Sequence, residues 1–130
     1  MATNPQFIAT PRISRCQLQT ANTATDGSGT IADLIVGAAT GTRILEITAK
    51  ATNTTVLSQI NLFLYDGTQW DLFDQFAVTA VTGSNTVSSY RLNRVYQNLI
   101  LPSATWKIGA TISVAPTVGT VRVAAFGGDL

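Results

Sequence analysis

Apolar and polar residues alternate along much of this chain. From Thr42 to Thr52 one parity carries Arg43, Leu45, Ile47, Ala49 and Ala51, and the other carries Thr42, Ile44, Glu46, Thr48 and Lys50. Successive side chains of a strand point to opposite faces, so a period of two is what a half-buried strand requires. The pattern predicts that Leu45, Ile47, Ala49 and Ala51 share the buried face. Ile60, Leu62 and Leu64 alternate in the same way, as do Trp106, Ile108, Ala110, Ile112 and Val114, and then Val121, Val123 and Ala125. Further strand candidates are 13–20, 30–36, 70–78, 86–95 and the short run 98–101. No segment keeps a helical period through three turns. Eight or nine short strands, separated by Gly, Asn, Thr and Pro, predict an all-β chain: a single jelly-roll-like antiparallel β-sandwich.

One hairpin is specific enough to place in register. Leu62 to Leu72 reads strand, turn, strand around Asp66-Gly67. A two-residue turn would set Leu64 opposite Gln69 and Leu62 opposite Asp71, mixing apolar and polar groups on one face. A three-residue loop, Tyr65-Asp66-Gly67 with a left-handed Gly67, sets Leu62 against Trp70 and Ile60 against Leu72. The odd loop is the expectation. By the same parity Trp70 and Trp106 belong to the core. Residues 1–11 hold Pro5 and Pro11 without alternation and read as an extended arm, leaving 12–130 as the sandwich.

Composition strengthens the fold class and narrows the chemistry. Twenty Thr stand against one Glu and two Lys, so branched strand formers abound and the usual fillers of helix surfaces are scarce. The 16 Ala would favour helix, but they sit beside Thr, Gly and Val where no helical stripe develops. A chain of 130 residues can bury roughly two-thirds of its unfolded surface without disulfide or metal. The charged fraction is 12% and the net charge +1, which is no footprint for nucleic acid. No apolar stretch approaches the length of a membrane-spanning helix, and no basic-then-apolar leader opens the chain, so neither membrane nor secretory signal is expected.

There is no histidine and one cysteine, Cys16. The commonest general base, the commonest metal ligand and any internal disulfide are therefore missing. Cys16 alternates with Ser14 and Leu18, the setting of a small buried hydrophobe rather than of a nucleophile. Asp66, Asp71 and Asp74 could hold Ca²⁺, but Asp71 and Asp74 differ by an odd number along a strand and so read as solvated. Glu46 has no carboxylate at a position suited to glycoside hydrolysis. Tyr65, Trp70 and Trp106 invite a sugar-stacking reading that competes with core packing. Arginine outnumbers lysine six to two, a composition that favours protein partners over substrates. The six arginines look scattered, with Arg91 and Arg94 on opposite parities. These features predict no catalytic residue, no cofactor and no metal.

The opening Met-Ala-Thr-Asn-Pro-Gln-Phe-Ile-Ala-Thr-Pro-Arg-Ile, the Thr-Ala-Asn-Thr at 20–23, Asp26-Gly27-Ser28-Gly29-Thr30, Leu62-Phe63-Leu64-Tyr65-Asp66-Gly67 and the closing Gly127-Gly128-Asp129 resemble small structural proteins of tailed bacteriophages, of the capsid decoration or cement kind. The resemblance implies a non-enzymatic virion protein, made in the host cytoplasm and bound to the outer surface of the phage head. Its implied partners are the major capsid protein and further copies of itself, as a dimer or trimer. Alternatives are a tail or head-fibre component and, from another class, a carbohydrate-binding module. Phe7 and Ile8 in the arm, with Arg12 at its root, are the candidate protein-interface residues.

Overall fold

Ile populates the strands for the reason its shape suggests, since a branched Cβ packs well on a pleated surface, whereas only four of the twenty Thr, Thr10, Thr42, Thr48 and Thr111, lie in strands. The computed structural model describes residues 7–130 and, within them, eight strands and no helix. They are β1 (Thr10–Leu18), β2 (Ala32–Val36), β3 (Thr42–Ala51), β4 (Ser58–Tyr65), β5 (Trp70–Val78), β6 (Arg91–Leu101), β7 (Lys107–Ile112) and β8 (Val121–Asp129). The first sheet has the order β1-β8-β3-β6 and the second β2-β7-β4-β5, with every ladder antiparallel. The first strand thus pairs with the last, the second with the seventh, the third with the sixth and the fourth with the fifth. A long hairpin rolled up on itself has this pairing, and it is the double-sheet jelly roll.

The core lies between the sheets. The first sheet contributes small side chains, Ala49, Ala51, Val121, Val123 and Ala125, together with Ile44 and Ile47. The second contributes larger ones, Ile60, Leu62, Phe76, Ile108 and Ile112. Small against large lets two facing sheets interdigitate at native density. Alanine serves here as a core filler at four positions, Ala49, Ala51, Ala110 and Ala125.

Three irregularities separate the structure from a regular alternation. In β3 a bulge between Ile44 and Glu46 places Thr42 and Ile44 on the buried face with Ile47, Ala49 and Ala51. Leu45, expected to be buried, stands 39% exposed. The runs 86–95 and 98–101 do not form two strands, because β6 passes continuously through residues 96–98 opposite that bulge. The hairpin register also differs from both alternatives: Tyr65 pairs with Trp70 across a four-residue loop, and Ile60 faces Phe76. An extra residue in β5, Phe73, brings Phe76 and Val78 to the core face, although Leu62 and Leu64 stand opposite Asp74 and Asp71 rather than opposite apolar partners.

Two residues expected in the arm belong to a strand. β1 begins at Thr10, so Thr10 and Pro11 already pair with Asp129 and Gly128. β1 is an edge strand, where a proline's missing N–H is tolerated. Residues 1–6 of the arm lie outside the described residues.

Trp70 also departs from the expectation. Its neighbour Tyr65 lies on the face of β4 opposite Leu64, so the ring sits on the outer side of the second sheet, over Gly109. A Cβ at Gly109 would meet Ile31 at 2.5 Å and the Trp70 ring at 2.8 Å, so glycine is required beneath them. The connection 19–31 folds over this face, and Phe63, beside Gly109, is 1% exposed although it belongs to no part of the central core. Trp106, by contrast, packs partly buried against the core.

Ile44→Ala should therefore cost about 2–5 kcal/mol, whereas Leu45→Ala should cost under about 1 kcal/mol. Urea unfolding of the two variants checks this. The reverse order would restore the simple alternation read from the sequence.

Candidate functional site

The groups that could carry chemistry are dispersed or satisfied. The Cys16 thiol is pushed up to about 12 by burial and, secondarily, by the charge of Asp33. It is therefore a protonated thiol at neutral pH and a poor nucleophile. The Phe73 bulge brings Asp71 and Asp74 to the same parity, opposite Leu64 and Leu62, where an odd separation predicted opposite faces. They nonetheless serve different partners. Asp74 receives Arg94 and, at 2.6 Å, the Tyr96 hydroxyl, and this cluster closes the open side between β5 and β6. Burial first, and then the bond to Asp74, raise the Tyr96 phenol above its ordinary value. Asp71 is exposed and accepts only from the Gln69 side chain. Among the described residues no group of three or more Cys, Asp or Glu could hold a metal ion. The groove between 17–23 and β7 is lined by the amides and hydroxyls of Gln17, Thr20, Asn22, Thr30 and Thr111 and by apolar Leu18, Ala21, Ala32 and Ala110, with no titratable group among them.

The aromatic rings do not form a sugar platform. Tyr65 and Trp70 stack on one another at 4.7 Å with their planes 39° apart, and the Lys107 ammonium lies about 5 Å from both centroids. Lys107 is itself held by Asp33 at 3.0 Å. Both rings are partly buried and already partnered.

The candidate interface residues fall into two kinds. Phe7 is 76% exposed. Ile8 packs where a side chain on Gly128 would stand, and the Ala9 N–H donates to the Asp129 carbonyl at 2.7 Å. Arg12 points inward instead. Its guanidinium donates to Asp129 Oδ1 at 3.0 Å and to the Val36 carbonyl at 2.9 Å, and the Thr42 hydroxyl donates to the same carboxylate at 2.8 Å. The root of the arm is thus locked, and only Phe7 is presented. Arg12 is part of the fold's own bracing.

A second surface was not legible in the sequence. On the outer side of the first sheet the ladders align Gln17, Arg122, Lys50 and Arg91 in one row across β1, β8, β3 and β6. The next row adds Arg15, and a further row sets Ile13, 70% exposed, and Val95, 67% exposed, on either side of Phe126 and Glu46. Arg91 and Arg94 do lie on opposite faces, but the row is built from four different strands. Only the pairing register brings these cations together.

No protein-family model matches the chain, and no curated protein matches it. Among solved structures it is similar to a chain of the acidic stable capsid structure of Helicobacter pylori bacteriophage KHP30, with a TM-score of 0.51 and 8% identity over 92% of this chain and 90% of that one. It is also similar to a chain of the cyanophage Pam1 capsid asymmetric unit, with a TM-score of 0.45 and 18% identity over 98% of this chain and 91% of that one. A chain from the capsid of Ralstonia phage GP4 gives a TM-score of 0.47 and 13% identity over 100% and 91%. At such identities the likeness is one of fold. The jelly roll seen here is one that a phage capsid contains, the class of particle to which the sequence resemblance pointed.

The bracing of the arm's root makes a pH signature. Burial would raise the Asp129 carboxyl, but the bonds from Arg12 and Thr42 and the Arg12 charge outweigh it and hold the group below its usual value. A depressed carboxyl stabilises the folded state above its unfolded value, near 3.9, and that contribution is lost as pH falls through the folded value. Arg12→Ala should lower the melting temperature at pH 7, and the gap from wild type should narrow below about pH 4. A gap that stays constant down to pH 2 would show that Arg12 acts through packing alone.

Proposed function

We propose that this chain is a non-enzymatic structural protein of a phage virion, and within it a capsid decoration or cement protein on the outside of the head. Its partners in this reading are the major capsid protein lattice and further copies of itself, as a dimer or trimer. The observation that carries the proposal is the jelly-roll fold shared with the KHP30 capsid chain over nine-tenths of both chains. Jelly rolls also serve lectins and enzymes, so the fold leaves the role to the surface. The surface supports the structural role: titratable groups are paired or solvated, the stacked rings are occupied, and an exposed phenylalanine stands on a braced root.

The physics of such a role needs area rather than reactivity. A cement protein stabilises a shell by binding the assembled lattice better than the free subunits, and many weak contacts on one particle multiply. Phe7 is the arm's contribution. Burying it on a neighbour is worth roughly 1.5–3 kcal/mol, enough to offset the ordering of one or two backbone residues.

Cryo-electron microscopy of the parent particle should show this jelly roll outside the head shell. Density in the tail, or particles that lack the chain, would overturn the decoration reading. Deleting residues 1–9, or making Phe7→Asp, should leave the domain folded and reduce its capture by assembled heads by about tenfold or more. Unimpaired capture by both variants would remove the arm from the contact.

A further inference from the structure

The net charge of +1 conceals a separation of charge within the molecule. Among the described residues three ion pairs form, Arg12–Asp129, Arg94–Asp74 and Lys107–Asp33. They leave five cations without a carboxylate partner: Arg15, Arg43, Lys50, Arg91 and Arg122. By the strand registers all five lie on the outer face of the first sheet. The only acid on that face is Glu46, which accepts from Asn93 at 2.9 Å. Three other carboxylates lack a cation: Asp26, Asp66 and Asp71. They lie at one end of the second sheet, Asp66 and Asp71 flanking the β4–β5 turn and Asp26 held by Gly27 over Trp70, on the face of β5 opposite to that of Asp71. A Cβ on Gly27 would come within 2.7 Å of Trp70 Cβ, so this glycine rests directly on the strand beside Asp71. Asp66 accepts from the N–H groups of Thr68 and Gln69, and Asp26 from Ser28, so hydrogen bonds to neutral donors sustain both as anions.

Two features give the separation a direction. The row Arg122–Lys50–Arg91 lies where β3 ends, whereas the β4–β5 turn lies where β4 ends, one strand length away on the other sheet. This row and the carboxylates therefore occupy diagonal extremes of the sandwich, while Arg43 lies at the other end of the cationic face. Setting like charges on adjacent strands, roughly 4.8 Å apart, also works against folding. An incoming set of carboxylates would relieve that repulsion, and the exposed Ile13 and Val95 beside the cations offer apolar area to the same contact.

We propose that copies of this chain associate head-to-tail, the cationic outer face of the β1-β8-β3-β6 sheet on one copy receiving the carboxylate-bearing β4–β5 corner of the next. The proposal deepens the oligomer named above and rests on that reading only for its setting, since the charges belong to the chain alone. A two-fold contact through this face would place five cations against five, so the face cannot pair with itself. A heterologous contact puts unlike surfaces together and, where the rotation closes, generates a ring.

The test uses the full chain in sedimentation velocity across concentration, at about 50 mM and about 500 mM salt. Wild type should self-associate at low salt and weaken at high salt, because screening acts on exposed pairs beyond about a Debye length. Arg91→Glu/Arg122→Glu and Asp26→Lys/Asp71→Lys should each weaken association by about tenfold or more, and an equimolar mixture should restore it. Asp66 is left in place because it caps the turn. Arg15→Glu/Arg122→Glu serves as a second cationic-face variant should the first lose its wild-type melting curve. A wild type that stays monomeric at low salt would overturn the proposal, as would oligomers indifferent to charge reversal or a mixture that fails to reassociate. Heads that capture a strictly monomeric chain would overturn it while leaving the virion reading intact; a charge-dependent oligomer that heads do not capture would do the opposite.

Discussion

The pairing of the first strand with the last is the constraint on which the rest of this molecule depends. β1 and β8 are remote in sequence, and closing them together costs chain entropy before any contact rewards it. Once they pair, β8 positions β3, β3 positions β6, and the second sheet is obliged to complete the roll beneath them. The Asp129 carboxylate sits at this closure and gathers Arg12 from β1 and Thr42 from β3 at a single point. One charged bond of this kind, partly shielded, is worth more than a surface ion pair of the same length. Next to it the Asp129 carbonyl holds the Ala9 N–H, two residues from the exposed Phe7.

Much of the fold was legible in the sequence, and most of the errors share one cause. The strands at 70–78 and 42–51 appear almost where alternation puts them, because each has one face against the core. Leu45 and the split of β6 were misread at a bulge, and the hairpin register at a four-residue loop followed by a second bulge, each of which shifts parity from there on. Alternation reports which face a residue takes only between bulges, and nothing local in Ile44-Leu45-Glu46 announces one. Trp70 was misread for a different reason: its parity was right for an apolar face, but the second sheet has two.

The candidate surfaces divide along the same line. Phe7, Ile8 and Arg12 could be singled out from the chain because the arm lacks alternation, although Arg12 proved to be a brace. The row of cations could not. Arg122, Lys50 and Arg91 are separated by dozens of residues, and only the ladder through β8, β3 and β6 makes them neighbours. A sequence with scattered arginines and a net charge near zero therefore conceals a strongly polarised surface. Near-neutrality measures the sum of the charges and says nothing of their arrangement.

The connection 19–31 has a consequence for how freely this sequence can drift. By covering Phe63 on the outer side of β4, it leaves the middle of that strand with no solvent-facing side, and Ile60, Asn61, Leu62 and Phe63 are all buried in succession. β6, at the free edge of the other sheet, keeps most of its residues in water. Relatives that preserve this domain would thus retain β4 as a near-continuous block of identity while β6 wanders. Their kinship would show in a few central residues long after the outer strands had ceased to align.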